Sequence, residues 1–423
     1  MKRVLASLAL AAAVAAPALA QTVAVTNGRV VTNTSAGVID DGSVLMRDGD
    51  IVAVGADVEI PAEATVVDAE GGWITPGLFH PHTQLGLIEV ALEDSTRNAA
   101  AGESPFSAAL DVSEGFNPSG NHIDEARAEG ITRFALHPST GSTIIAGQGA
   151  LADSAGAPDS VFTTRDFMVA DLRRSGANLA GGSTAAAWAY LRAALDDARA
   201  YPGRYQNGGD GDVLTRADAA AMVPVARGET PLVVYIDRAA DIRRALDFIE
   251  ANRSLRLIIA GAAEAHLVAD ELAAAGVPVI MDPMRNLPDS FDTLASTLQA
   301  AARLHDAGVQ VAYTTMGSDI YWNPRLLTQH AGLAAAHGAE WEEAFRAITL
   351  APAEIYGVSD RFGALEAGYA GDVVVWDGDP LELMSAPTAV FIDGEAQSLE
   401  TRQTRLRDRY AEIAAEADFA YRH

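Results

Sequence analysis

From Thr22 to about Thr75 the chain alternates apolar and polar positions in short runs: Val23-Ala24-Val25, Gly42-Ser43-Val44-Leu45-Met46, Ile51-Val52-Ala53-Val54 and Thr65-Val66-Val67. A period of two marks half-buried strands, and Asn27-Gly28 and Asp48-Gly49 are turn signals, so this stretch predicts antiparallel strands. The pattern returns in Gly371-Asp372-Val373-Val374-Val375-Trp376 and Val390-Phe391-Ile392-Asp393-Gly394, which predicts one small sheet domain built from both ends. Between them, β-like runs at Ile131 to Leu136, Leu232 to Ile236, Leu255 to Ala260, Val277 to Met281 and Val309 to Tyr313 alternate with helical patterns. The helices are expected at Ala240 to Ala251, Glu264 to Ala274, Ser290 to Ala307 and Trp341 to Leu350. Strand followed by helix, repeated, indicates a parallel sheet, and periodicity leaves open whether it is a closed barrel or an open doubly wound sheet.

Two stretches break the rhythm. Asn98 to Arg127, rich in Ala, Ser, Gly and Asn, reads as a long loop or insertion over one face, and Tyr201 to Gly211 is rich in turn formers. A charged helix, Thr401 to Ala417, is expected to close the chain. At the other end, Lys2 and Arg3 precede an apolar run from Val4 to Ala16 and the small-x-small site Ala18-Leu19-Ala20, the layout of a secretory signal peptide. The run is shorter than the roughly 20 residues a membrane span needs, so no span is expected once the signal is removed. The chain has no cysteine, which excludes disulfides, cysteine nucleophiles and zinc thiolate sites. These features point to the periplasm.

Composition narrows the partners. With 57 Asp and Glu against 30 Lys and Arg, a phosphate backbone would be repelled, so nucleic acid is not expected. A small-molecule substrate or ligand is, and the oligomeric state stays open. Lys2 is the only lysine, so the mature chain cannot supply a carboxylated lysine.

The run Thr75-Pro76-Gly77-Leu78-Phe79-His80-Pro81-His82-Thr83-Gln84 carries the chemistry. Residues two apart on a strand project to the same side, so His80, His82 and Gln84 are expected to share one face and two imidazoles could reach one ion. The run resembles the first barrel strand of the amidohydrolase superfamily, where Pro-Gly-Leu leads into Asp-x-His-x-His. In that register His80 stands for the aspartate, His82 matches the first metal histidine, and Gln84 replaces the second. The strands at both ends resemble the family's composite sandwich, and the likeness is closer to imidazolonepropionase-like members than to ureases. It implies an eight-stranded β/α (TIM-type) barrel over 76–362, a β-sandwich from 21–75 and 363–400, a signal peptide over 1–20 and a C-terminal helix over 401–423.

The resemblance also implies further ligand positions, and these carry other residues. Histidines would be expected at Tyr235, with Asp237 as a further such position, and at Gly261, and the catalytic aspartate at Met316, with Asp319 as the alternative close by. Asp153 stands where some relatives carry the carboxylated lysine. A zinc site wants three protein ligands and an open position, and His82 is the only family ligand retained. A dinuclear site is therefore not expected, and the cofactor stays open between a single divalent ion such as zinc and none. His82, Tyr235 and Asp237 are the candidate catalytic residues, with His80, Gln84, His137, Asp153 and Asp319 around the pocket. His122, His266, His305, His330 and His337, with Glu264 and Asp282, read as structural. Two functions remain: a hydrolase of non-peptide C–N bonds (amide or cyclic amide) with a degenerate metal site, or a non-catalytic barrel that binds a small molecule or a protein.

Overall fold

A computed structural model describes residues 22–317 and 319–416. The expected signal peptide and the last residues of the C-terminal helix lie outside that range. Five strands open the chain: β1 (Thr22–Val31), β2 (Val38–Arg47), β3 (Asp50–Gly55), β4 (Thr65–Asp68) and β5 (Trp73–Pro76). Eight follow: β6 (Leu78–Thr83), β7 (Ile131–Leu136), β8 (Ile145–Asp153), β9 (Val161–Asp171), β10 (Leu232–Ile236), β11 (Leu257–Gly261), β12 (Val279–Met281) and β13 (Val311–Tyr313). Three close it: β14 (Val373–Trp376), β15 (Pro387–Ile392) and β16 (Glu395–Ala396).

The two ends make one sheet, in the order β16-β15-β14-β5-β1-β2-β3 with β4 on β1. Its seam is the antiparallel β5–β14 pair, from Trp73 opposite Trp376 to Pro76 opposite Val373. Val25, Val30, Val44, Ile51, Ile74, Val373 and Phe391 fill its core. Asp48-Gly49 turns β2 into β3, both residues at positive φ. Asn27-Gly28 does not turn the chain: β1 runs on through it with a shift of register, Asn27 taking φ 58° and Gly28 leaving room for Ile74. A bulge, not a hairpin, is what that pair encodes here.

Strands β6 to β13 form the second sheet, in chain order. Its edges meet. Thr314 Oγ1 donates to the His82 carbonyl at 2.8 Å, and the carbonyls of Ala347 and Ile348 take the N–H groups of Tyr313 and Phe79. The result is a nearly closed eight-stranded barrel, with Phe79, Val169, Val233, Ile258, Ile280 and Ala312 in one inner cluster. Every neighbouring pair is parallel except β7–β8 and β8–β9, so β8 runs against the rest. The C-terminal ends of the seven parallel strands open on the mouth, and their starts form the floor.

Helices lie near the expected places at Ala239–Ala251, Ala269–Ala275 and Trp341–Arg346, and the terminal helix covers Arg402–Glu416. The expected helix over Ser290 to Ala307 is present only as Ala300–Asp306. Upstream of it, the Thr293 hydroxyl donates to Asp289 and accepts from the backbone of Asp289 and Ser290. Such side-chain bonds compete with a helical ladder. The stretch from Asn98 is irregular as expected, until Asn121–Ala128 forms a helix. No helix among the described residues is long and apolar enough to cross a membrane.

Candidate active site

The mouth gathers side chains that follow the strand ends. His82 lies near the end of β6 and His137 directly after β7, where the His137 N–H bonds to the Thr83 carbonyl. Their rings stack face to face, with centroids 3.6 Å apart and planes 5° apart. Tyr235, the penultimate residue of β10, brings its hydroxyl to 2.6 Å from His82 Nε2. Over the Tyr235 ring, at 4.1 Å, lies the guanidinium of Arg173. Asp171, the last residue of β9, holds Arg173 through both oxygens at 3.1 and 3.0 Å and takes its backbone N–H as well. Asp237, just after β10, accepts from Arg285 at 2.9 Å and from the Ala263 N–H.

His80 is fully satisfied. Its Nδ1 takes the His82 N–H at 3.4 Å, so its Nε2 carries the hydrogen toward Thr315 Oγ1 at 3.2 Å, and Thr315 donates to the Asp319 carbonyl. Asp282 and His330 approach to 2.9 Å, too poorly aligned for a hydrogen bond.

Burial dominates the electrostatics. It pushes His80 down to about 3 and His137 down to about 4, with neighbouring positive charge adding to it, and it holds His82 well below the usual imidazole range. These rings are neutral at physiological pH. Burial pushes the Tyr235 phenol up, and it pushes the Asp237 carboxyl up against the pull of Arg285 and Arg173. His82 Nδ1 and His137 Nε2 are buried without a hydrogen-bond partner among the described residues.

Comparison with known proteins relates this chain to a family. The model of the amidohydrolase family matches residues 229–401. An imidazolonepropionase of Acidiphilium cryptum is 28% identical over 376 residues, 83% of this chain and 90% of its own length. An amidohydrolase of Thermotoga maritima has a crystal structure that superposes with a TM-score of 0.79 at 24% identity, covering 88% of this chain and 99% of that one. These matches support the amidohydrolase superfamily for this chain. The amidohydrolase tasK of Hapsidospora irregularis is 26% identical over 399 residues, 84% of this chain, which spans only 40% of that longer protein.

Set against the amidohydrolase pattern, the expected site residues divide. His80, His82, His137, Tyr235 and Asp237 converge at the mouth through the contacts above. Gln84 lies past the end of β6, and its amide donates to Ser139 Oγ at 2.5 Å. Asp319 opens a short helix and accepts from Asn323. Met316 packs against the inner apolar cluster. Gly261 ends β11 at φ 89°, and a Cβ there would lie 2.9 Å from Asp237 Oδ1. Asp153 departs from its expected place in the pocket: β8 runs downward, so this residue reaches the floor, 3.6 Å from Arg133.

Arg173, Asp171 and Arg285 escaped the sequence reading. The available signal was Asp171-x-Arg173 directly after an apolar run, and it was lost because β9 did not read as a strand. His330 and Asp282, read as structural one at a time, come together beside His80.

Proposed function

We propose that this chain is an exported amidohydrolase-superfamily hydrolase of C–N bonds other than peptide bonds, whose metal site is degenerate. The observation that carries the reading is the His82–Tyr235 contact at the mouth of an amidohydrolase barrel. The similarity to the imidazolonepropionase of Acidiphilium cryptum supports C–N chemistry.

The donor set does not fit a divalent ion of the usual design. A zinc site needs three protein ligands, and among the described residues no group of three His, Cys, Asp or Glu side chains is placed to hold a metal ion. His82 Nε2 is taken by a phenol, Tyr235 occupies a ligand position, and Gly261 has no side chain to offer. In this reading His82 and Tyr235 orient and polarise a substrate carbonyl or a water. Asp237, fixed by Arg285, and Arg173, fixed by Asp171, supply charges that do not reorganise during the reaction.

One observation favours a second reading, a non-catalytic barrel that binds a small molecule or a protein. Arg173 is paired with Asp171 and Arg285 with Asp237 at the mouth, so neither pair offers a free reactive group. Elemental analysis of the purified protein, with a panel of N-acyl amino acids, lactams and dipeptides, separates the two. The hydrolase reading expects turnover that His82→Ala abolishes. A protein inert to the whole panel is the binding barrel.

A further inference from the structure

The two stacked imidazoles differ in which nitrogen carries a hydrogen's partner. His137 Nδ1 lies 3.1 Å from the Pro138 carbonyl oxygen. A carbonyl only accepts, so in the neutral ring Nδ1 bears the hydrogen and Nε2 is a bare lone pair. That lone pair is buried and meets no partner among the described residues. At His82 the engaged nitrogen is Nε2, 2.6 Å from the Tyr235 hydroxyl, which makes no other hydrogen bond among the described residues. Donation from that O–H leaves one buried polar group of the pair unanswered, whereas the reverse would leave two, the phenol hydrogen and the Nδ1 lone pair. His82 Nε2 therefore accepts, and Nδ1 carries a hydrogen that is buried and unanswered.

One unanswered donor and one unanswered acceptor thus sit on rings stacked at 3.6 Å with their planes 5° apart. Buried polar groups left without protein partners are usually answered by a small bound molecule. A divalent cation fits poorly, because it would need a lone pair from each ring and would meet the His82 N–H instead. The fixed charge of Arg173 over the neighbouring Tyr235 ring adds repulsion for any cation. A single hydroxyl suits both rings, since its oxygen accepts from one while its hydrogen goes to the other.

We propose that Tyr235 is a positioning residue that holds His82 with its hydrogen on Nδ1, and that His82 Nδ1 and His137 Nε2 together bind one neutral hydroxyl group, of a water or an alcohol. This rests on the reading of a metal-poor mouth given above, but not on turnover. In that reading the bound hydroxyl sits where a hydrolytic water would be held.

Two-bond proton–nitrogen spectra of the 15N-labelled protein test it at neutral pH. In the wild type both rings show a protonated Nδ1 and an unprotonated Nε2. Tyr235→Phe shifts His82 away from that pattern and leaves His137 unchanged. One equivalent of Zn2+ moves neither ring, and a high-resolution crystal structure shows an oxygen within hydrogen-bond distance of both nitrogens that is lost in His137→Phe. A wild-type His82 with its hydrogen on Nε2, a His82 pattern indifferent to Tyr235→Phe, a Zn2+ shift of both rings, or an empty stacked pair in the crystal each overturns the proposal. The wild-type spectra and the Zn2+ titration decide it even if the variants fail to fold. Failure on the substrate panel with these signatures intact sinks the hydrolase reading alone, and turnover that requires Zn2+ bound by both rings sinks this proposal and the metal-poor mouth while hydrolysis stands.

Discussion

The floor and the mouth of the barrel both bury charge, and they answer it differently. At the floor Arg133 sits at 3% exposure among Asp372, Asp393 and Asp153, bidentate to Asp372 at 2.6 and 2.9 Å, with Phe362 under its guanidinium. Every group there has a protein partner, and the cluster ties the barrel to the two-ended sheet. At the mouth, ion pairs flank two imidazole nitrogens that no described residue answers. In barrels of this kind the floor serves stability and the mouth serves function. Completed hydrogen bonding at one end and its absence at the other express that division in this chain.

Acid should separate the two regions most strongly. His80 and His137 titrate near 3 and 4 when folded, against about 6.5 for a free imidazole. Between those values the unfolded chain binds protons that the folded chain refuses, so stability is complete above about pH 6.5 and falls as pH drops toward 4. Asp237, with its carboxyl pushed up, works in the opposite sense and trims the loss. Urea melts from pH 7.5 to 4.5 should show a midpoint that falls steadily. His137→Phe should flatten that slope, and an unchanged slope would remove the neutral histidines from the account.

Arg133→Ala attacks the floor instead. It leaves Asp372, 5% exposed, without a counter-charge, and breaking such a buried pair costs about 3–5 kcal/mol. The loss should appear as a much lower midpoint in chemical denaturation, with the His82 and His137 spectra of the folded fraction unmoved. If the mouth signals shift as well, the two ends are not independent.

The smallest of these effects is expected from Gly261→Ala. A residue with a Cβ would be held at φ 89° against the Asp237 carboxylate, and such strained positions cost on the order of 1–3 kcal/mol. A neutral substitution would show that Gly261 is not required by its backbone conformation.

These expectations also mark what was legible in the sequence. The alternating ends and the Pro-Gly-Leu-Phe-His run pointed to the two-ended sheet and, through the family likeness, to the barrel, because strand periodicity and a strand-to-mouth motif are local signals. The reversed strand β8 was not legible. Its Gly147 and Gly149 weaken any strand pattern, yet Gly149 is required there: a Cβ would strike the Phe167 ring of the paired strand at 2.1 Å. With β8 hidden, the direction of Asp153 was hidden too. The convergence of His137, Arg173 and Tyr235 could not be read either, since it joins residues from β7, β9 and β10 through barrel closure. His82 was found by its motif, but its engagement by a phenol depends on a residue 153 positions away.

The β5–β14 seam carries a consequence for how the molecule is made. Its two strands lie about 300 residues apart, Pro76 opposite Val373. At the ~5–20 residues per second of synthesis, roughly 15–60 s separate their emergence from the ribosome. Throughout that interval β5 offers an unpaired edge, the kind of surface that recruits other chains. A nascent chain of this protein is therefore most exposed to mispairing at its oldest sheet, which is completed only after the whole barrel has been delivered, and a chaperone that shields strand edges would have most to do there.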